Sequence, residues 1–226
     1  HGWLTSEGKK MSKSWGNVIW PEDMIAKYGV DGTRYLLLAT IPFGNDGDIS
    51  HASATARINS DLANGLGNLV QRTLSFIYKN AGAIVPTPGT YTADDTVLLT
   101  AAHAVVASVR AELDRQRFDR AIEAIFSVVN AANTYIDAQA PWGLKKTDPT
   151  RMNTVLYVLA EVIRCLGLIM QPFTPELAGK ILDQLAVPAD QRTLTFLDEA
   201  FDLKPGTPLP EPKGVFPRLE TPEAAA

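Results

Sequence analysis

Residues 61–73 read DLANGLGNLVQRT. Leu62, Leu66, Leu69 and Thr73 recur at helical spacing, and Phe76 and Ile77 continue the series, which predicts one long helix over about 53–80 with an apolar stripe turned to a core. At about 100° per residue, Asn64, Asn68 and Arg72 fall on a second stripe roughly 140° round from the first, in line along roughly 12 Å of helix. Asparagine is a weak helix former because its amide competes for backbone hydrogen bonds, so two of them one turn apart need a reason. Two readings stand side by side. The amides face solvent or bond a neighbouring helix, or, with the guanidinium, they read base edges and stack on unpaired bases.

The pattern outward from this helix is helical throughout. Further helices are predicted over 92–113, opened by a Thr92-x-x-Asp95 capping box, over 118–140 and over 149–171. Another starts with Thr174 as cap and Pro175 at its first position. Upstream, Pro21 with Glu22 and Asp23 opens a short helix that Gly29 stops, Asp31 caps a second one through Leu38, and residues 47–50 fit a short strand. The connection 82–91 holds Pro86 and Pro88. Beyond Val187 prolines recur at 188, 205, 208, 210, 212, 217 and 222, and the tail is expected to run extended over the surface. The fold class is therefore mainly α, an antiparallel helical bundle.

The 226 residues are 46% hydrophobic, enough for a sizeable core. The longest apolar run, 156–170, is interrupted by Glu161 and Arg164, and no basic start with an apolar core opens the chain, so we expect no membrane span and a cytoplasmic protein. The single cysteine, Cys165, lies in a helical apolar pattern and reads as a packed thiol. His1, His51 and His103 lack metal-ligand spacing, so no metal site is expected. A net charge of -4 argues against unspecific nucleic-acid binding and requires any RNA site to be a local patch. Lys9, Lys10 and Lys13, then Arg72 and Lys79, then Lys145, Lys146 and Arg151 are the candidates.

Residues 8–17, GKKMSKSWGN, carry the first patch between Gly8 and Gly16, which read as the ends of a mobile loop. The spacing of a phosphate-cradling Walker A loop is absent, and the S-x-x-K string at Ser6 lacks its companion strings. Lys10-Met11-Ser12-Lys13-Ser14 is the KMSKS signature of class I aminoacyl-tRNA synthetases. Farther along the chain, Pro141 stops a helix and leaves Trp142 at a helix terminus ahead of Lys145 and Lys146. There it is either a core indole or a stacking platform for an unpaired base.

With Lys10 to Ser14, the strings Tyr28-Gly29-Val30-Asp31, Arg34-Tyr35, Ile41-Pro42-Phe43-Gly44, Asp46-Gly47-Asp48, then Asn64, Asn68 and Arg72, then Ala140-Pro141-Trp142 and Val215-Phe216-Pro217-Arg218 resemble the methionyl-tRNA synthetase family in order and spacing over nearly the whole chain. That resemblance implies the end of a catalytic domain with the KMSKS loop over 1–20, a small α/β stem-contact element over 21–52, an anticodon-binding helical bundle over 53–187 and the proline-rich tail over 188–226. It implies Lys10 and Lys13 as catalytic residues, ATP binding through Lys10, Met11, Ser12, Lys13 and Ser14, and contact with a CAU anticodon through Asn64, Asn68, Arg72 and Trp142. It implies methionine, ATP with Mg2+, and tRNA(Met) as substrates and partners. A HIGH-type string is absent from the sequence, so the resemblance is to a C-terminal segment expected to be inactive alone, and a monomer is expected. Leucyl, isoleucyl, valyl and cysteinyl synthetases share the lysine loop, and a non-enzymatic helical module binding RNA or protein is the alternative outside the class.

Overall fold

The computed structural model describes residues 2–220; His1 and the last six residues of the tail assigned to 188–226 lie outside the described residues. β1 (Leu4–Ser6) and β2 (Lys9–Lys10) pair antiparallel with Thr5 opposite Lys10 and Ser6 opposite Lys9. The two residues between them, Glu7 and Gly8, both have positive φ, 54° and 71°, as a tight two-residue hairpin turn requires. β3 (Gly47–Asp48) adds parallel to β1 on its other edge. The Asp48 carboxylate accepts from Thr5 Oγ1 at 2.6 Å and from Gly8 N at 2.7 Å, which pins the hairpin to the strand beside it.

α1 (Pro21–Thr40) starts with proline at its first turn and breaks its helical path at Gly29, φ 70° and ψ 173°, so two helical pieces meet there as the glycine suggests. Asp31 does not cap the second piece. Its carboxylate is buried and accepts from Leu177 N at 2.6 Å and Glu176 N at 3.3 Å, the free amides at the start of α8 (Pro175–Gln184). Three residues on, Arg34 donates to the carbonyls of Pro172 and Phe173. α1 is thereby tied to both sides of one corner of the bundle.

α2 (His51–Ile58), a π-helical segment (Asn59–Gly67) and α3 (Asn68–Asn80) follow without a break. α4 (Ala93–Asp114) and α5 (Phe118–Gln139) form an antiparallel pair across a short turn, and α6 (Pro141–Thr147) leads to α7 (Pro149–Met170). By length and apolarity α4 and α7 are each long enough to cross a bilayer. Packing accounts for α7: every residue over 154–170 is buried, because helices cover it on all sides. α4 turns Leu98, Leu99, Ala102, Val105 and Val109 to the same core.

The tail departs from the expected extended course. Short 3-10 turns occupy Ala189–Gln191, Leu194–Leu197 and Glu199–Phe201. No proline falls between Pro188 and Pro205, so nothing there forbids a helical turn, and Leu197 and Leu203 anchor the segment by burial. From there the chain does run extended: Leu209 N donates to Ala83 O, Val85 N to Thr207 O, and Asn59 exchanges two hydrogen bonds with the backbone of Leu219.

Candidate nucleotide loop and nucleic-acid interface

The lysine loop is built differently from a free strap between glycines. Lys9 and Lys10 belong to β2, and only the residues after them leave the sheet. Asn17 brackets that departure, its Oδ1 accepting from Ser12 N at 2.8 Å and its Nδ2 donating to Lys10 O at 3.1 Å. Ser12 and Ser14 share a hydroxyl hydrogen bond, Lys13–Trp15 form a single 3-10 turn, and Gly16 closes it at φ 66°. Lys10, Lys13 and Ser14 are exposed, Met11 and Ser12 half-buried. The ammonium of Lys13 rests 5.6 Å from the centre of the Trp20 ring, a cation–π contact worth about 0.5–1 kcal/mol at an exposed site. The loop carries two exposed cations, Lys10 and Lys13, and two serine hydroxyls with no acid among them, a composition suited to phosphate.

The second site lies on the bundle. Asn64 and Asn68 are exposed, and Leu62, Leu66 and Leu69 are fully buried behind them. Arg72 sits between two partners. Its Nη2 donates to Asp137 Oδ1 at 2.6 Å, and its guanidinium carbon lies 5.5 Å from the centre of the Trp142 ring. Trp142 keeps 49% of its surface exposed, so it is not a core indole. The structure thus brings Arg72 and Trp142 into contact, with the two asparagines on the same helix as Arg72. Lys145 and Lys146 are exposed at the end of α6.

Around the ends of α6 a buried group takes up Arg151, which the sequence offered as an RNA-facing cation and the structure instead pairs with Asp95. Asp95, fully buried, accepts from Thr92 N, from the Tyr135 hydroxyl and from both terminal nitrogens of Arg151, and Arg151 also donates to Gln139 Oε1 at 2.7 Å. Burial pushes the Asp95 carboxyl up, but those donors outweigh it and hold it at about 2. Gln139 precedes α6 and Arg151 follows it, so the helix carrying Trp142 is held at both ends. Asp95 was visible as half of a capping box; its partners on α5 and α7 come from tertiary packing.

A second buried cluster joins α4, α7 and the tail. Arg164 donates to Glu161, Glu161 Oε2 accepts from Leu203 N at 2.9 Å, and His103 faces both Glu161 and Asp202. Burial opposes the charge of Glu161, yet His103, Arg164 and the Leu203 amide keep its carboxyl below the usual range. The Asp202 carboxylate 3.2 Å from its Nε2, with Cys165 and the Glu161 carboxylate beside the ring, pushes His103 up to about 12. Ligand atoms of His103, Glu161 and Cys165 lie within 4.8 Å of one another. The Arg164 guanidinium already engages that carboxylate, and burial pushes the Cys165 thiol up to about 11, so the group reads as a closed ion network.

A lysine loop on the edge of a small sheet, followed by a helical bundle, matches the model of class I tRNA synthetases (M) over residues 1–74. Residues 85–226 match the anticodon binding domain of methionyl tRNA ligase, and the chain belongs to the methionyl-tRNA ligase family. It is 50% identical over 224 residues to the methionine–tRNA ligase of Rhizobium meliloti, covering 99% of this chain and 43% of that protein. It is 46% identical to the enzyme of Mycobacterium leprae over 227 residues, with 99% and 42% covered. Among solved structures, methionyl-tRNA synthetase of Mycobacterium tuberculosis in its apo form superposes with a TM-score of 0.90 at 42% identity, covering 98% of this chain and 43% of that one. The same enzyme in complex with methionyl-adenylate gives 0.92 at 45%, covering 96% and 43%. The chain therefore spans less than half the length of the relatives it matches.

Proposed function

We propose that this chain is the C-terminal part of a methionine–tRNA ligase, supplying the KMSKS loop over 1–20, a stem-contact element over 21–52 and anticodon recognition over 53–187. The observation that carries the reading is the Arg72 guanidinium over the half-exposed Trp142, beside the exposed Asn64 and Asn68. Unpaired anticodon bases stack on an aromatic face and pair their edges with amides and a guanidinium. Arg72 is oriented for this by Asp137, which accepts from one of its nitrogens.

In the complete enzyme, the methionine carboxylate attacks the α-phosphate of ATP, held with Mg2+, and pyrophosphate leaves as methionyl adenylate forms. The amino acid then passes to tRNA(Met). Negative charge grows on the leaving pyrophosphate, and Lys10 and Lys13 neutralise it. Lys13 leaves its place over Trp20 to do so, exchanging a weak cation–π contact for a stronger one with phosphate as the loop closes, while Met11, Ser12 and Ser14 complete the ATP contacts. Lys10 is held in β2 and Lys13 is not, so Lys13 is the residue that moves. Aminoacylation by the complete enzyme, measured with Asn68→Ala, Arg72→Ala and Trp142→Ala beside methionine-dependent ATP–pyrophosphate exchange, tests the reading: a loss confined to the tRNA-dependent reaction supports it, and unaltered aminoacylation in all three overturns it.

A further inference from the structure

The helix bearing Asn64, Asn68 and Arg72 does not keep α-helical geometry through the site. Four residues of an α-helix turn about 400°, so positions four apart drift by about 40° at each step and by roughly half a turn over five steps. Yet Ala54, Ile58, Leu62, Leu66, Val70 and Leu74, spaced by four throughout, are all buried, while Ala56, Ser60, Asn64 and Asn68 are all exposed. The π-helical segment Asn59–Gly67 accounts for this, because its wider turn takes up the overshoot. Beyond it α geometry resumes, the row drifts again, and Arg72 becomes partly buried beside Asp137.

The wide turn has its own requirements, and the sequence meets them. A Cβ at Gly67 stands 2.7 Å from the carbonyl oxygen of Leu62, and one at Gly65 stands 3.2 Å from that of Ser60. Both approaches are between residues five apart, the pairing of a π-helix. Gly67 has ordinary helical angles, φ -61° and ψ -42°, so close approach and not a left-handed backbone is what needs glycine there. On α5, Asn133 Nδ2 donates to Gly65 O at 3.3 Å and to Val129 O at 3.0 Å, holding a carbonyl of the segment. Asn59, the first residue of the segment, is pinned by its two hydrogen bonds to Leu219.

We propose that the segment Asn59–Gly67 sets the register of the RNA-reading row, placing Asn64 directly in line with Asn68, and that Asn133 is a positioning residue holding the segment in that form. This rests on the anticodon reading above. An α-helical path in the same place turns Asn64 about 40° off the line of Asn68 and so changes the spacing of groups meant for neighbouring bases.

The test uses the complete enzyme with Gly67→Ala and Asn133→Ala, and Ile122→Val as a control for loss of stability elsewhere on α5. Measured are aminoacylation with tRNA carrying CAU and with single-base anticodon variants, ATP–pyrophosphate exchange, and thermal melting. Alanine is otherwise the better helix former, so a lowered melting point in Gly67→Ala reports the blocked π turn. The expected result is a rise in KM for tRNA of about tenfold, the size of one lost base contact, a fall in the preference for CAU, and exchange within about twofold of wild type. Ile122→Val keeps the preference. Asn133→Ala carries the test if Gly67→Ala does not fold. If both variants keep the CAU preference while Asn68→Ala abolishes it, the register proposal is wrong and the anticodon reading stands; if Asn68→Ala also keeps it, both are wrong.

Discussion

Replacing Trp142 with alanine separates the RNA-binding role proposed for this residue from any role in the core. Trp142 is 49% exposed and sits on a seven-residue helix whose ends are held by Gln139 and Arg151, neither of which depends on the indole. Its removal costs the bundle one cation–π contact with Arg72, about 0.5–1 kcal/mol, together with the burial of about half of the indole, and leaves Arg72 its bond to Asp137. For RNA the loss is larger. A base that stacks on an aromatic side chain gains about 1–3 kcal/mol, which at 1.4 kcal/mol per tenfold is about 5-fold to about 150-fold in affinity. In steady-state aminoacylation by the complete enzyme, Trp142→Ala is expected to raise KM for tRNA by a factor in that range, with ATP–pyrophosphate exchange unchanged and the melting temperature within a few degrees of wild type. A KM within twofold of wild type refutes the stacking role. So does an equal loss in exchange, which assigns the residue to folding.

Lys13→Ala is expected to slow adenylate formation by a barrier of about 3–4 kcal/mol while tRNA affinity stays put, read out by pyrophosphate exchange and filter binding; exchange near the wild-type rate contradicts it. Glu161→Gln keeps the side-chain volume but leaves Arg164 and His103 without their buried carboxylate. We expect a loss of about 3–5 kcal/mol and a melting point lower by about 6–20 °C in a thermal scan; a change under a degree rules out a structural role for the cluster. Stability is also expected to depend on pH at both ends. Asp95 sits at about 2 against an ordinary 3.8, so its contribution is complete above the ordinary value and is lost as pH falls toward 2. His103 is raised from 6.5 to about 12, so its contribution is complete below 6.5 and declines as pH rises above that. Melting temperatures across the pH range, with Asp95→Asn and His103→Gln flattening the acid and alkaline limbs respectively, check both.

Much of this architecture follows from local chemistry that a sequence displays. The break at Gly29, the Thr92–Asp95 pairing and the Pro175 start of α8 each depend on residues within a few positions of one another. Where distant segments compete, local rules fall short. Asp31 looks like a cap for its own helix, yet its carboxylate serves the amides of α8, because packing brings that unsatisfied helix end within reach. The π segment hides within an apolar pattern that resembles an ordinary helix; its trace is the unbroken spacing of four from Ala54 to Leu74 together with Gly65 and Gly67. Of the site, the row Asn64, Asn68 and Arg72 was readable, as was Trp142 behind its proline. Asp137 and Asn133 were not, since nothing in their own neighbourhood distinguishes them from solvent-facing polar residues of α5.

The role proposed for this bundle is to read an anticodon base by base. Binding of the complete protein to an anticodon stem-loop hairpin carrying CAU, compared at one salt concentration with hairpins altered at each of the three bases, tests it most directly. Each change is expected to weaken binding by about 1–3 kcal/mol, and Asn68→Ala or Arg72→Ala to remove most of that difference for at least one position. Equal affinity for all the hairpins, with only the salt dependence of phosphate contacts remaining, contradicts it.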